Sequence, residues 1–252
     1  MSVSVQQLGS GPELTLLHGW GMNAAVWTSI TPALAANFHL NLIELPGHGE
    51  SDALPEADLD QWIDAVLEVA PVKSHYLGWS LGGLLSQAIA LKAPERVDVV
   101  GLVGSTPSFV QRDGWHDAMP QSTFDQFANA LADDAASTLK RFLGLQVKGL
   151  ADARVILRDI EQALATRPAA SDAGLQQGLA ILLNTDLCEQ LHGLQGSHWL
   201  FGGRDTLVPS GAADAIAQLS PSAQITTIAK SGHAPMLSHA DEFLAWVLQT
   251  YG

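Results

Sequence analysis

The sequence predicts an α/β protein with a mostly parallel central sheet, flanking helices and an inserted helical cap. Short apolar strands alternate with amphipathic helices over roughly the first hundred residues. The next stretch, residues 109–186, has helical periodicity without strands, and the strand–helix alternation then returns. Because parallel strands need long crossovers, the alternation is typical of a sheet covered by helices on both faces.

The first part of the core, residues 1–108, is predicted to hold four strands and two helices. The strands are Leu14–Leu17, Leu40–Leu45, Ser74–Trp79 and Val97–Val103. One helix spans Asp58–Ala70, because apolar residues recur there at helical spacing and Pro71 follows. The other helix spans Gly83–Lys92.

The cap, residues 109–186, is predicted to hold four consecutive helices, each with apolar residues at helical spacing. In chain order these residues are Phe124, Phe127 and Leu131; Leu139, Phe142 and Leu143; Leu157, Ile160 and Leu164; and Leu175, Leu179 and Leu182. Four helices inserted into an alternating chain indicate a cap over one end of the sheet.

The second part of the core, residues 187–252, resumes the alternation with predicted strands Ser197–Phe201 and Gln224–Ile228. A final helix is predicted to begin at Ser238, since Ser238 and Asp241 have the spacing of a capping box.

Composition excludes several function classes. The chain has 252 residues, of which 47% are hydrophobic and 15% charged, so it can bury a full core. Its formal net charge of −14 argues against nucleic acid or an anionic membrane as a partner. The single cysteine, Cys188, suits a reducing compartment. Without a signal-peptide pattern or an apolar run of about 18 residues, we expect a soluble cytoplasmic protein.

The segment Gly78-Trp79-Ser80-Leu81-Gly82-Gly83 lies where a predicted strand meets a predicted helix. A very tight strand-to-helix turn projects a serine hydroxyl clear of the backbone, and glycines on either side avoid clashes there. The helix N-terminus adds unpaired N–H groups near a developing negative charge. An ordinary Gly-rich turn can have the same pattern, so the prediction of Ser80 as a nucleophile depends on partners downstream.

A serine nucleophile needs a base, and the base needs a carboxylate to orient it. Of the nine histidines, His233 is the one in a loop between the last strand and the last helix. Asp205 lies at the tip of a polar loop after a buried strand, and the order Ser80, Asp205, His233 places the acid before the base, as expected when the serine lies on a strand-to-helix turn. Asp113 is the rival acid, and a loop pairing of Asp205 with Arg204 is the structural alternative.

When a serine attacks a carbonyl carbon, the carbonyl oxygen becomes an oxyanion, which needs two N–H donors. One is expected to be the backbone N–H of Leu81, and the other that of Trp20 in the loop His18-Gly19-Trp20-Gly21. Trp20 as a core aromatic residue in a tight turn is the structural alternative. His18 is interpreted as a structural hydrogen-bonding residue, and Pro46-Gly47-His48-Gly49 as a turn without a chemical role.

Four stretches carry a resemblance to a known family: LLHGWGMNAAVW, LGWSLGG with the downstream PERV, RFLGLQ in the cap, and AKSGHAPMLSHADEF. With these the whole chain resembles the pimeloyl-acyl-carrier-protein methyl ester esterases of biotin synthesis, within the α/β-hydrolase superfamily. The resemblance implies the α/β-hydrolase fold, hydrolysis of the ω-methyl ester with release of methanol, and no cofactor or metal. It also implies substrate contacts by Trp20, Leu81, Phe142, Leu143, Gly144, Leu145 and Gln146.

Nearly half of the twelve basic residues fall within one short segment of the cap. They are Lys140, Arg141, Lys148, Arg154 and Arg158. Arg154 and Arg158 are i, i+4 neighbours on one helix face. A solvated helix surface is the alternative, but this concentration in an acidic protein favours an anionic partner. Together with the resemblance it predicts docking of an acyl carrier protein, which presents the substrate on its phosphopantetheine arm.

Two other function classes remain open. One is a general small-ester carboxylesterase or haloperoxidase-like hydrolase without a protein partner. The other is a catalytically silent binding protein, which would not need the serine, aspartate and histidine in order. A halide-displacing relative would carry aspartate at the nucleophile position, where this chain has Ser80.

Overall fold

The computed structural model describes residues 2–252 and contains a seven-stranded sheet. The strands are β1 Val5–Gly9, β2 Glu13–Leu17, β3 His39–Ile43, β4 Ser74–Trp79, β5 Val97–Val103, β6 His198–Gly202 and β7 Gln224–Ile228. Their order across the sheet is β1-β3-β2-β4-β5-β6-β7. All neighbouring pairs are parallel except β1 and β3, so the predicted fold class is confirmed.

Each of the six predicted strands is present with its ends shifted by two residues or fewer. Strand β1 was not predicted from the sequence. It is an edge strand, and its Gln6 and Gln7 are exposed, so it lacks the apolar run that marks the buried strands.

The described part of the chain contains ten α-helices. They are α1 Thr31–Ala35, α2 Leu59–Val69, α3 Leu81–Lys92, α4 Gln121–Asp133, α5 Ala135–Gln146, α6 Ala153–Leu164, α7 Asp172–Asn184, α8 Gly211–Leu219, α9 Pro235–Ser238 and α10 Ala240–Tyr251. Helix α2 begins with a capping box, in which Asp58 accepts from the backbone N–H of Gln61 and the Gln61 side chain accepts from that of Asp58.

The predicted capping box of the final helix is wrong. Ser238 ends α9, its hydroxyl donates to the carbonyl oxygen of Ala234, and His239 is the N-cap of α10 without a side-chain cap. Pro235 starts the extra helical turn, because its fixed φ suits the first position of a helix. Helices α1 and α8 were not predicted either.

Helices α4 to α7 follow one another between β5 and β6, as the apolar spacing predicted. The division of the chain at 108/109 and 186/187 stays a prediction. Within residues 2–252, no helix combines the length and the apolar character that crossing a membrane requires.

The sheet order places one pair of strand ends at a natural ligand site. The chain leaves β2 toward β3 on one side and later returns to form β4 on the other side of β2. Ligands of open α/β sheets bind beyond the carboxyl ends of the strands at such a switch point. The loop that begins at His18 and the turn that holds Ser80 therefore lie side by side.

Candidate active site

Ser80 lies at the turn between β4 and α3 with φ 56° and ψ −116°. Left-handed backbone of this kind costs about 1–3 kcal/mol in a non-glycine residue. The flanking glycines make the turn possible. A Cβ on Gly78 would lie 2.3 Å from the carbonyl oxygen of Gly82, and a Cβ on Gly82 would lie 2.2 Å from that of Leu17. The turn thus has the strained, glycine-dependent geometry that the motif predicted.

His233 and Asp205 form a buried pair. Nδ1 of His233 lies 2.7 Å from Oδ2 of Asp205, and both side chains are 1% exposed. The other carboxylate oxygen accepts the backbone N–H groups of Leu207 at 2.7 Å and Val208 at 3.1 Å. Because Asp205 accepts in every one of these bonds, Nδ1 of His233 carries a proton and Nε2 is left as the basic nitrogen.

Nε2 of His233 is buried and has no hydrogen-bond partner among the described residues. Buried polar atoms without a partner are rare, and this one belongs to a residue that lines the cavity. Trp79 holds the loop from behind, since its Nε1 donates to the carbonyl oxygen of His233 at 2.8 Å. The rival acid Asp113 is exposed, in the loop after β5, while the structure pairs Asp205 with the histidine.

Ser80 and His233 line one cavity of about 540 Å³ between the sheet and helices α4, α5 and α7. Its other walls are almost entirely apolar. They include Trp20, Phe109, Met119, Phe124, Phe127, Phe142, Leu145, Leu179, Leu182 and Leu207. This volume lies in the usual range for small-molecule sites, and the composition suits an apolar chain.

The loop after β2 lies against the serine. A Cβ on Gly19 would lie 3.3 Å from the Cβ of Ser80, and the indole of Trp20 donates to the carbonyl oxygen of Leu175 at 2.8 Å. Trp20 thus lines the cavity, and its neighbouring backbone faces the nucleophile turn. Leu81 opens α3, and the first N–H groups of a helix have no partner within the helix.

His18 and His48 have the structural roles expected from the sequence. Nε2 of His18 accepts the backbone N–H of Leu45 at 3.0 Å, and Nε2 of His48 accepts that of Gly21 at 3.2 Å. Burial lowers the pKa of His18 to about 4 and the pKa of His48 to about 3. Both imidazoles are therefore neutral at pH 7 and join the two loops behind the cavity.

The predicted contact stretch of the cap is only partly turned toward the cavity. Phe142 and Leu145 line it, one helical turn apart on α5. Leu143 packs against a second apolar cluster instead of lining the cavity. Gly144 does not line the cavity either. Gln146 is buried, and its amide donates to the carbonyl oxygen of Phe142 at 3.4 Å. Because only one face of a helix can point into the cavity, five consecutive residues of α5 cannot all line it.

Trp79, next to the nucleophile in sequence, is not among the residues that line the cavity. Its ring is buried against Trp27 and His233, and one edge of the ring lies beside Gly19. Phe109 and Met119 are wall residues that the sequence did not reveal, because they lie in the irregular segment between β5 and α4 and have no periodic pattern.

All five basic residues of the cap are exposed, but only Arg141 also lines the cavity. Arg141 is exposed yet also lines the cavity, so it lies at the mouth, where its guanidinium donates to the Thr138 hydroxyl at 3.0 Å. Arg154 and Arg158 are exposed on α6, and Arg158 forms an exposed ion pair with Asp159 at 3.0 Å. Lys140 and Lys148 are also exposed.

Across residues 2–252, no group of three His, Cys, Asp or Glu side chains is placed to hold a metal ion.

A strained serine turn, a histidine–carboxylate pair and an adjoining apolar cavity at the switch point of a mostly parallel sheet define an α/β-hydrolase. A model of the alpha/beta hydrolase family matches residues 16–246, and the chain belongs to that family. Among solved structures, a bromoperoxidase from Bacillus anthracis has a TM-score of 0.87 at 19% identity, covering 98% of this chain and 94% of that one. At this identity it shows the shared fold alone.

Curated relatives define the family more narrowly. The pimeloyl-[acyl-carrier protein] methyl ester esterase of Aeromonas hydrophila is 40% identical over 248 residues, 97% of each chain. The enzyme of that name from Xanthomonas oryzae pv. oryzae is 41% identical over 241 residues, 94% of each chain. The chain belongs to the pimeloyl-[acyl-carrier protein] methyl ester esterase family, and the resemblance seen in the sequence is confirmed.

Proposed function

We propose that this protein hydrolyses the methyl ester of pimeloyl-acyl-carrier protein, giving pimeloyl-acyl-carrier protein and methanol. The observation that carries the proposal is the meeting of Ser80 and His233 in one apolar cavity, with Asp205 bonded to the far nitrogen of the histidine. Membership of the esterase family supplies the substrate class.

The proposed reaction has two halves. Oγ of Ser80 attacks the ester carbonyl carbon while Nε2 of His233 accepts the hydroxyl proton, and Asp205 stabilises the imidazolium. The tetrahedral intermediate expels the methoxy group, which takes the proton from His233 and leaves as methanol. Water then attacks the acyl-enzyme while His233 accepts a proton from it, and the second tetrahedral intermediate releases the acid as the Ser80 oxygen takes that proton back.

The negative charge of each tetrahedral intermediate is proposed to lie against the backbone N–H groups of Trp20 and Leu81. The first belongs to the loop after β2 and the second to the free N-terminus of α3. These donors are positioned before the reaction begins, so they stabilise the developing charge without reorganising.

The cavity supports an acyl chain as substrate, and its mouth supports a carrier. Phe127, Phe142 and Leu145 offer apolar contact along the cavity, and Arg141 lies where it opens. We propose that an acidic acyl carrier protein docks on Arg141, Arg154 and Arg158, with smaller contributions from Lys140 and Lys148. Two acidic proteins repel each other at long range, so a local basic surface is needed for encounter. The guanidinium fork also suits the phosphate of a phosphopantetheine arm.

Intact-mass analysis of carrier-linked methyl pimelate tests the reaction directly. Incubation with the enzyme should lower the mass of the acylated carrier by one methylene unit and leave the thioester intact. Release of the whole acyl chain would instead identify a thioesterase. Cleavage of free methyl esters without any action on the carrier-linked one would favour the alternative of a small-ester carboxylesterase.

Charge reversal tests the carrier surface. Arg154→Glu/Arg158→Glu should lower kcat/KM for the carrier-linked ester at least tenfold and flatten its salt dependence, because charged encounter is screened by salt. The matched control is Lys73→Glu/Lys92→Glu, which makes the same charge change at exposed ion pairs away from the cap. Hydrolysis of a small free methyl ester should stay within about twofold in both variants. Equal losses on both substrates would mean that the arginines only hold the cap together.

A further inference from the structure

A chain of buried hydrogen bonds ends on the peptide group that follows the nucleophile. The hydroxyl of Ser105 donates to the carbonyl oxygen of Ser80 at 3.0 Å, and Nε2 of Gln87 donates to the Ser105 hydroxyl at 3.2 Å. Ser105 and Gln87 are both 0% exposed. Ser105 lies just beyond β5, and neither residue lines the cavity.

The carbonyl of Ser80 and the N–H of Leu81 belong to one peptide group. Since a peptide group is planar and trans, the direction of its C=O fixes the opposite direction of its N–H. A second donor, the backbone N–H of Leu84, reaches the same carbonyl oxygen at 3.0 Å. Two donors on one carbonyl oxygen hold the plane of this peptide, in a turn whose φ of 56° at Ser80 is otherwise strained.

The geometry points to Ser105 as a positioning residue for the oxyanion: we propose that its hydroxyl aims the Leu81 N–H at the tetrahedral intermediate. Hydrogen bonding to the carbonyl also polarises the peptide and strengthens its N–H as a donor. This inference rests on the proposed function, because it assigns a purpose to a donor of that reaction. Ser105 acts through the peptide and touches no reacting atom.

Gln87 sets the direction of the Ser105 hydroxyl. Its amide nitrogen also lies 3.3 Å from the carbonyl oxygen of Gly83 and 3.1 Å from that of Thr106. A hydroxyl has a single proton, so a donor aimed at its oxygen leaves that proton free to point at Ser80.

The absence of a side chain at Gly83 admits Ser105. A Cβ at Gly83 would lie 2.5 Å from the Cβ of Ser105, far inside contact distance. The second glycine of the Gly82-Gly83 pair therefore has a separate purpose from the first, which lets α3 approach the end of β2.

Ser105→Ala should lower kcat for a small free methyl ester about tenfold, with KM within twofold of wild type. That loss is below the 10²–10³-fold cost of deleting an oxyanion donor, since the N–H remains but is less well aimed. Affinity for a trifluoromethyl ketone, which forms a tetrahedral adduct with the serine, should fall by the same factor. The pH profile of kcat/KM should not move, because His233 and Asp205 are untouched.

Ser86→Ala is the matched control. The Ser86 hydroxyl is also 0% exposed and donates to a carbonyl oxygen of the same helical turn, that of Gly82, at 2.8 Å. Both variants should lose similar stability in urea unfolding, but Ser86→Ala should keep kcat and ketone affinity. Gln87→Met should lower kcat two- to threefold by freeing the Ser105 hydroxyl.

Two results overturn the inference: wild-type kcat and ketone affinity in Ser105→Ala, or equal losses in Ser86→Ala. Failure of the proposed function looks different. If the wild-type enzyme cleaves no methyl ester, the affinity for the trifluoromethyl ketone still reports on the Leu81 N–H. Formation of the adduct needs only Ser80, His233 and the oxyanion donors.

Discussion

The two sides of the cavity are built by different forces. The floor, formed by Ser80 and by His233 with Asp205 behind it, is held by directional hydrogen bonds, such as the 2.7 Å bond between the histidine and the aspartate. The roof, formed by Phe124, Phe127, Phe142 and Leu145, meets the core through apolar contact. Its packing is edge-to-face, with ring centroids 5.1 Å apart for Trp20 and Phe142 and 5.2 Å for Trp20 and Phe127.

The difference matches the tasks of the two sides. Proton transfer from Ser80 needs the imidazole of His233 held in one orientation and tautomer, which its directional bond to Asp205 provides. Apolar contact is non-directional and roughly proportional to area, so the roof can select a chain by size while tolerating changes of detail.

The cap itself is anchored unequally. Its C-terminal half is bonded to the core by three polar contacts. Arg167 forms an ion pair with the buried Glu44 at 3.2 Å. The Ser171 N–H donates to the Gly47 carbonyl oxygen at 2.8 Å, and the Gln177 amide donates to the Leu54 carbonyl oxygen at 2.6 Å. Helices α4 and α5 carry the aromatic roof, and their aromatic side chains reach the core by packing. Changes in the floor should therefore affect rate, and changes in the roof should affect selectivity.

The largest effect is expected at the nucleophile. Ser80→Ala should lower kcat by about 10⁴–10⁶-fold while leaving substrate binding and the fold intact, because serine and histidine act as a unit. Assays with purified protein measure the rate of hydrolysis, and circular dichroism measures whether the fold is kept. A fluorophosphonate should label Ser80 alone in the wild-type protein. Undiminished hydrolysis by Ser80→Ala would contradict the mechanism.

Asp205→Asn should cost about 10³–10⁴-fold in kcat by favouring the wrong tautomer of His233. Asp113→Asn is the control, because Asp113 is a carboxylate between β5 and α4 that is exposed to solvent. Steady-state rates of the two variants decide between the acids. A harmful Asp113→Asn with a mild Asp205→Asn would reverse the assignment.

A roof substitution should change selectivity more than rate. Phe142→Ala removes the aromatic contacts with Trp20 and Phe127, so KM for medium-chain methyl esters should rise about tenfold with a smaller change in kcat. We also expect the wild-type protein to prefer methyl over butyl esters, because the apolar walls leave little room beyond the ester oxygen, and this preference should shrink in Phe142→Ala. Leu143→Ala on the same helix packs away from the cavity and should change neither property. Matched losses in the two variants would mean that α5 matters only for stability.

The smallest effect is a pH dependence of stability from the histidines behind the floor. In the unfolded chain His18 and His48 take up protons as the pH falls through 6.5, whereas in the folded protein burial lowers their pKa to about 4 and about 3. The unfolded state therefore binds more protons below pH 6.5, and the free energy of unfolding should fall from pH 7 toward pH 4. Urea titrations followed by tryptophan fluorescence measure it. His48→Gln should flatten this decline, and an unchanged slope would contradict the assignment.

Local chemistry made much of the fold and floor predictable. Asp58 and Gln61 form a capping box that is visible as a spacing, and the glycines around Ser80 signal a turn that only they permit. The prediction failed where local signals mislead. Ser238 has the spacing of a cap, but its hydroxyl is already bonded to the carbonyl oxygen of Ala234.

The sequence by itself determined the strand–helix order, the residues able to do chemistry and the apolar stripes of the cap, because these depend on neighbours within a few positions. Tertiary structure alone decided which side chains meet. It bonded Trp79 to the His233 carbonyl oxygen, brought Phe109 and Met119 into the cavity wall, and placed Ser105 on the Ser80 carbonyl, 25 residues away. Such contacts arise from close packing of distant segments, and no local pattern records them.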